Sequence, residues 1–384
     1  MLTGWDDVAS TGVDALDELL GGLYWGDNVV WEVARPAAGE AFYRCAAGVA
    51  GYDGRIAIRL SDAEPPARFE VVDARPGREH AQPAPLLHEL DARCRRGERN
   101  LLLFPGLDAL AEQWGAAVAE AFFARCCPQL LRLGAVAYWT LPAGGPHARL
   151  RRTVEEVTQC VFAAGDDRLR IAKADGRPPG VAGTVLHLDI EDGRPVLSPA
   201  PIAARIGPAL HAARTKRHLS QSDVARLLGV SPSSISQAER GQSGLSLETL
   251  LDLAGKLDMT LDELLRGELA AGYRLGRLRR PPRRGAAASP QPVALLDNPE
   301  VGLRSYLVQI PPRATVEPHL RHKGIELVAV AGGLVQVLLA TASPVLRAGD
   351  TLLAEDAPMT GWRNLGAGEA SLFWILRDAR PAER

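Results

Sequence analysis

The period of apolar positions changes twice along the chain. Up to about residue 200, short apolar runs alternate with stretches of helical period. The runs predict strands at 28–33, 55–60, 100–104, 135–139, 159–163, 169–173 and 184–188. Strands interleaved with helices predict a mostly parallel sheet covered on both faces, with antiparallel strands at its end. Residues 203–267 show helical period alone. Residues 293–379 return to short runs between Gly and Pro turns, the pattern of an all-β domain. Between these pieces "RLGRLRRPPRRGAAASPQP", residues 274–292, has no apolar period and reads as a linker. The expected domains are 1–202, 203–267 and 293–384, with 268–292 as the connection.

Charge separates the same pieces. Net charge is −2 over 384 residues, but −7 over 1–202, +6 over 203–284 and −1 over 285–384. The middle piece is therefore the one an anionic polymer would choose. No apolar run approaches the ~20 residues of a spanning helix. The first seven residues lack the layout of a secretion signal, so a cytoplasmic protein is expected. Cys45, Cys94, Cys126, Cys127 and Cys160 form no CxxC and read as buried free thiols.

The middle piece carries the densest local signals. Ser220 and Asp223 have capping-box spacing, and Val224, Leu227 and Leu228 share a face of the helix that follows. Gly229 ends that helix. Ser231 caps the next, with Pro232 at its first position. Ile235 and Ala238 turn inward there, leaving Ser233, Ser234, Gln237 and Arg240 outside. Ser246 and Thr260 open two further helices, Thr260 with a second box to Glu263.

This segment closely resembles the helix-turn-helix of the phage-repressor (Xre) type. The resemblance implies double-stranded DNA as partner, bound by a dimer on a pseudo-palindrome. It implies Gln221 on backbone phosphate and Ser233, Ser234 and Gln237 on base edges in the major groove. Lys216, Arg217 and Arg240 stand where phosphate contacts fit. A five-helix protein-binding module is the alternative, and the positive charge favours nucleic acid. The run of Arg274, Arg277, Arg279, Arg280, Arg283 and Arg284 is either a solvated linker or an arm along phosphates.

"STGVDALDELLGGLYWGDNVVWEV" resembles the opening of RecA-superfamily ATPases of the KaiC/RadA kind, through Thr11, Gly12, Leu16, Asp17, Leu19, Leu20, Gly21, Gly22 and Gly26. The resemblance runs to about residue 200 and implies the fold. The chemistry needs a glycine-rich loop for phosphate, a Lys for the β- and γ-phosphates and a hydroxyl for magnesium. In "ARPAAGEA" the corresponding positions hold Ala34, Ala37, Gly39, Glu40 and Ala41. Pro105 stands where the family has its magnesium-side Asp. Rescue by Asp108, or by Asp62 and Glu64, is the active alternative. A pseudo-ATPase domain kept for assembly or sensing is the reading adopted.

Residues 293–379 resemble a small cupin barrel of the sort that follows such DNA-binding domains. His322, Glu326, Gly333, Gly349 and Asn364 fit its two motifs. Leu320 and Thr360 occupy the other two ligand positions. His319 is a substitute only if a bulge turns it from the face opposite to Leu320 and His322. Two protein ligands fall short of the three or four a divalent metal needs. The alternatives are a structural dimerisation barrel and a metal-free pocket for a small effector, lined by His322, Glu326, Thr360 and Trp362.

The fold class expected is thus multidomain: an α/β RecA-like domain, an all-α helix-turn-helix domain and an all-β cupin barrel. The function expected is sequence-specific DNA-binding transcription regulation by a homo-oligomer, without enzyme activity, cofactor, metal or membrane. The rival functions are a RecA-like ATPase targeted to DNA and a cupin metalloenzyme.

Overall fold

The computed structural model describes residues 8–94, 99–144, 148–178, 180–241, 243–257, 259, 275–276, 291–299, 301–320, 322, 324–355 and 357–378. The chain divides into two compact units, residues 1–273 and 274–384. The linker prediction and the six-arginine run therefore fall almost wholly outside the described residues, as does the helix opened by Thr260.

The first unit begins with α1 (Asp14–Leu20), β1 (Asn28–Val33), α2 (Pro36–Gly48), β2 (Gly54–Arg59), β3 (Glu70–Asp73) and α3 (Pro83–Arg93). Next come β4 (Asn100–Phe104), α4 (Leu107–Trp114), α5 (Ala116–Leu133), β5 (Val136–Pro142) and α6 (Ala148–Val157). Four consecutive strands follow, β6 (Cys160–Ala164), β7 (Arg168–Ala174), β8 (Val185–Glu191) and β9 (Arg194–Pro199). They join one nine-stranded sheet in the order β3-β2-β4-β5-β1-β6-β7-β8-β9. Pairing is parallel from β3 to β6 and antiparallel from β6 to β9.

Each face of the sheet has its own core. One face buries Ile58, Phe104, Phe123, Trp139 and Leu150 beneath α3–α6. The other buries Leu16, Leu20, Trp31, Phe42 and Phe162 beneath α1 and α2. Two ring stacks anchor these layers, Phe104 on Trp139 at 3.6 Å and Trp31 on Phe42 at 3.9 Å. Val29, Val30, Trp31 and Val33 of β1 are buried because both faces of this parallel strand are covered. β3 and β9 were not legible as strands. β3 has only four residues with one buried, and β9 carries two prolines at the sheet edge.

The opening motif has structural work in this unit. The Asp17 carboxylate accepts the Thr11 backbone N–H at 2.7 Å and the Ser10 hydroxyl at 2.5 Å, fixing the turn before α1. Gly26 sits at φ +97°, and a Cβ there would lie 2.6 Å from the Leu131 carbonyl oxygen. Deeper in, Asp27 and Arg177 form a fully buried ion pair at 2.5 Å.

Four further helices are described in the first unit: α7 (Ile202–Lys216), α8 (Gln221–Leu228), α9 (Pro232–Glu239) and α10 (Leu247–Lys256). Their core is Ala209, Leu210, Ala213, Val224, Ala225, Ile235, Ala238, Leu253, Ala254 and Leu257.

Every described strand pairing of the second unit is antiparallel, among β10 (Val293–Asn298), β11 (Leu303–Ile310), β12 (Thr315–Val316), β13 (Gly324–Gly332), β14 (Leu334–Leu339), β15 (Val345–Arg347), β16 (Thr351–Glu355), β17 (Met359–Asn364) and β18 (Ala370–Asp378). They form a five-stranded sheet, β10-β11-β18-β13-β16, and a four-stranded sheet, β12-β17-β14-β15. The two sheets share one core around Val308, Val328, Val337, Trp362 and Trp374.

Candidate nucleic-acid interface

The helix pair is built as its sequence dictates. The Ser220 hydroxyl accepts the Asp223 N–H at 3.1 Å, and the Asp223 carboxylate accepts the Ser220 N–H at 2.9 Å. Hydrogen bonds from the Ser220 hydroxyl and backbone hold the Asp223 carboxyl below its ordinary pKa. Gly229 ends α8 at φ 66°. Val224 and Ala225 are buried under α9, whereas Leu227 is 40% exposed. The apolar stripe is thus centred one residue away from the expected Val224, Leu227 and Leu228 grouping.

α9 presents a polar stripe. Ser233, Gln237 and Arg240 are all exposed, at spacings of four and three residues that keep them on one side. Ile235 and Ala238, on the opposite side, are at most 2% exposed. Ser234 is less free than its neighbours. The Ser231 hydroxyl accepts the Ser234 N–H at 3.1 Å and lies 2.7 Å from the Ser234 hydroxyl. The Ser233 hydroxyl also meets Ser231, at 2.8 Å, but from an exposed position.

Two residues expected on phosphate have protein partners in this structure. Gln221 donates its side-chain N–H to Glu239 at 2.8 Å. Arg217 donates to the carbonyls of Ala213 and Leu257, tying the end of α7 to the end of α10. Lys216 is exposed at the end of α7.

Glu239 was not picked out by sequence reasoning. Its side chain is 5% exposed and accepts from Arg214 at 2.5 Å as well as from Gln221, with His211 at 3.2 Å. Burial pushes its pKa up, but the hydrogen bonds from Arg214, Gln221 and His211 prevail and the value ends below the ordinary one. A single Glu inside a helix of small polar residues gives no periodic signal of this role.

The phosphate-loop region differs from a loop in its backbone. Only Ala34 and Arg35 separate β1 from α2, which has already begun at Pro36. Residues 36–39 therefore form the first helical turn, and Pro36 has no N–H to offer an oxyanion. Gly39 is buried against β1 and β5, where a Cβ would meet Thr140 at 3.1 Å and Val33 at 3.4 Å. Glu40 and Pro105 are exposed. Asp62 and Glu64 pair with Arg75 at 2.6 Å and Arg59 at 2.8 Å.

In the second unit the four expected pocket residues do not converge. Glu326 is 2% exposed and accepts the indole N–H of Trp374 at 2.9 Å. Trp362, fully buried, packs edge-on against the same indole at 5.0 Å. His322 turns elsewhere. Its Nε2 donates to the Arg377 carbonyl at 2.9 Å, so Nδ1 accepts from Arg304 at 3.3 Å. Thr360 faces solvent and donates to the Leu338 carbonyl at 3.1 Å. A register shift between Leu338 and Leu339 accounts for this: Leu338 pairs with Gly361 and Leu339 with Met359, so Thr360 is the extra, exposed residue of a bulge in β17 and Met359 is buried. His319, expected on the wrong face, stands edge-on to Tyr306 at 5.0 Å and to Trp374 at 6.2 Å. β12 ends at Val316, so strand alternation does not govern residue 319. Among the described residues, no three His, Cys, Asp or Glu side chains are grouped to hold a metal ion.

Residues 210–264 match the family model described as Helix-turn-helix (HTH_3). No curated protein matches the chain. Among solved structures, an HTH_3 family transcriptional regulator from Vibrio cholerae is 22% identical, with 47% of this chain and 98% of that chain covered and a TM-score of 0.22. Apo-HppE is 18% identical, over 46% of this chain and 99% of that one, with a TM-score of 0.24. A cupin_2 domain of an XRE family transcriptional regulator from Enterobacter cloacae is 17% identical, over 23% and 96%, with a TM-score of 0.22.

Proposed function

We propose that the chain is a DNA-binding transcription regulator whose α9 reads base edges in the major groove. The observation that carries this reading is the capped α8–α9 pair within the matched segment, with Ser233, Gln237 and Arg240 in one exposed stripe. The short polar side chains of Ser233 and Gln237 suit hydrogen bonding to base edges, and Arg240 and Lys216 supply charge for phosphate. The β unit serves oligomerisation or effector sensing in this reading, and two copies of α9 one helical turn apart would read a two-fold site. The α/β layer is a RecA-like fold without ATP chemistry. The early start of α2 at Pro36, the negative charge of Glu40 and the missing hydroxyl at Ala41 support that assignment.

Genome-wide occupancy mapping of the full chain in its own cells tests the proposal. Discrete sites sharing a sequence are the expected result. Signal spread without sequence preference contradicts it.

A further inference from the structure

A cavity of about 250 Å³ lies inside the first unit, between the carboxyl ends of the central strands and the helical bundle. Its floor is one row of the sheet. Glu32 of β1 registers with Ala163 of β6, Ala163 with Arg170 of β7, and Arg170 with Val185 of β8. Residues abreast in a sheet point to the same face. The methyl group of Ala163 between two long charged side chains leaves the space open. Ala204 and Pro208 of α7 and Glu239 of α9 close the cavity from the helical side.

The charges around it are unequally satisfied. Glu32 pairs with Arg151 at 2.9 Å, and Glu239 with Arg214 at 2.5 Å. Arg168 pairs with Asp167 at 3.0 Å and donates to the Arg240 carbonyl at 2.9 Å. Arg170 is half-buried, and no ion-pair or hydrogen-bond partner holds its guanidinium among the described residues. A half-buried cation beside apolar walls, with nearby carboxylates already taken, is complementary to an anion. The volume lies just below the range of about 300–1,000 Å³ usual for ligand pockets, which limits the ligand to a small molecule.

We propose that this cavity binds a small organic anion with an apolar body, its charge on Arg170 and its body against Ala163, Val185 and Pro208. Two of its walls reach the recognition helix. Arg168 holds the carbonyl at the end of α9, and Glu239 holds Gln221 at the start of α8. Occupancy thereby changes DNA affinity. This coupling rests on the DNA-binding reading; the anion site itself does not.

Calorimetric titration of the full chain with benzoate, and with neutral benzamide of the same shape, tests the site. Benzoate binds once per chain and benzamide does not. Arg170→Met weakens benzoate about tenfold, the effect of losing one charge-assisted hydrogen bond. Ala163→Leu fills the floor without altering charge and abolishes binding, so the test survives if Arg170→Met fails to fold. No benzoate heat at millimolar concentration, or undiminished binding to both folded variants, overturns the site. Saturating benzoate also changes affinity for a duplex enriched from a random library by about fivefold or more. Unchanged affinity overturns the coupling. Failure to bind any duplex overturns the DNA-binding reading, while the benzoate heats still decide the site.

Discussion

Glu239 holds Arg214, Gln221 and His211 from a position 5% exposed, joining α7, α8 and α9 through one carboxylate. Its folded pKa is depressed, so its contribution to stability is complete above the unfolded value of about 4.3 and is lost as pH falls through the folded value. The difference in urea midpoint between the natural chain and Glu239→Gln therefore shrinks as pH drops below about 4.3. A difference that stays constant through that range contradicts the assignment. Glu326 is the corresponding residue of the β unit. Glu326→Leu strands the buried Trp374 indole N–H at a cost of about 1–3 kcal/mol. Hydrogen-exchange mass spectrometry would show this as lost protection in β13 and β18, and unaltered protection there would refute it. Arg217 and Lys216 are adjacent but not equivalent. Lys216→Ala should reduce the salt slope of DNA binding by about 1. Arg217→Ala should instead destabilise the bundle, because its partners are the Ala213 and Leu257 carbonyls.

Elements meet at close approaches that small residues permit. A Cβ on Gly207 of α7 would stand 2.5 Å from the Glu239 carbonyl of α9. Gly207→Ala should force the two helices apart and destabilise the unit by about 1–3 kcal/mol, read by urea unfolding of the full chain. The bulge in β17 makes a matching prediction. Thr360→His, on the exposed side, should cost under about 0.5 kcal/mol, while Met359→His, in the core beside Glu326, should cost more than about 2 kcal/mol. Equal costs would place the bulge elsewhere. The capped helices and seven of the nine strands of the α/β layer could be read from the chain because Ser220, Gly229, Ser231 and the apolar runs act locally. The outward turn of Thr360 could not, since a bulge depends on the partner strand β14. Arg217 and Gln221 were assigned to DNA by position in a motif, and their protein partners, forty and eighteen residues away, lie beyond the reach of a local pattern. The cavity over Ala163 was invisible for the same reason, as its row joins four strands and two helices.

At the scale of the molecule, a helix-turn-helix is packed against an α/β layer within one compact unit, and a second, antiparallel unit follows in the chain. No described helix is long and apolar enough to cross a membrane. The positive charge of 203–284 lies between two acidic segments, so DNA is directed to one region of the chain. Base reading by α9 is the claim on which the account turns. Selection of duplexes from a random library at moderate salt, by the natural chain and by Gln237→Ala, tests it most directly. The natural chain should enrich one sequence, and Gln237→Ala should lose preference at one position per half-site at a cost of about 1–3 kcal/mol. Selection that enriches no sequence, or an identical preference in both proteins, would contradict it.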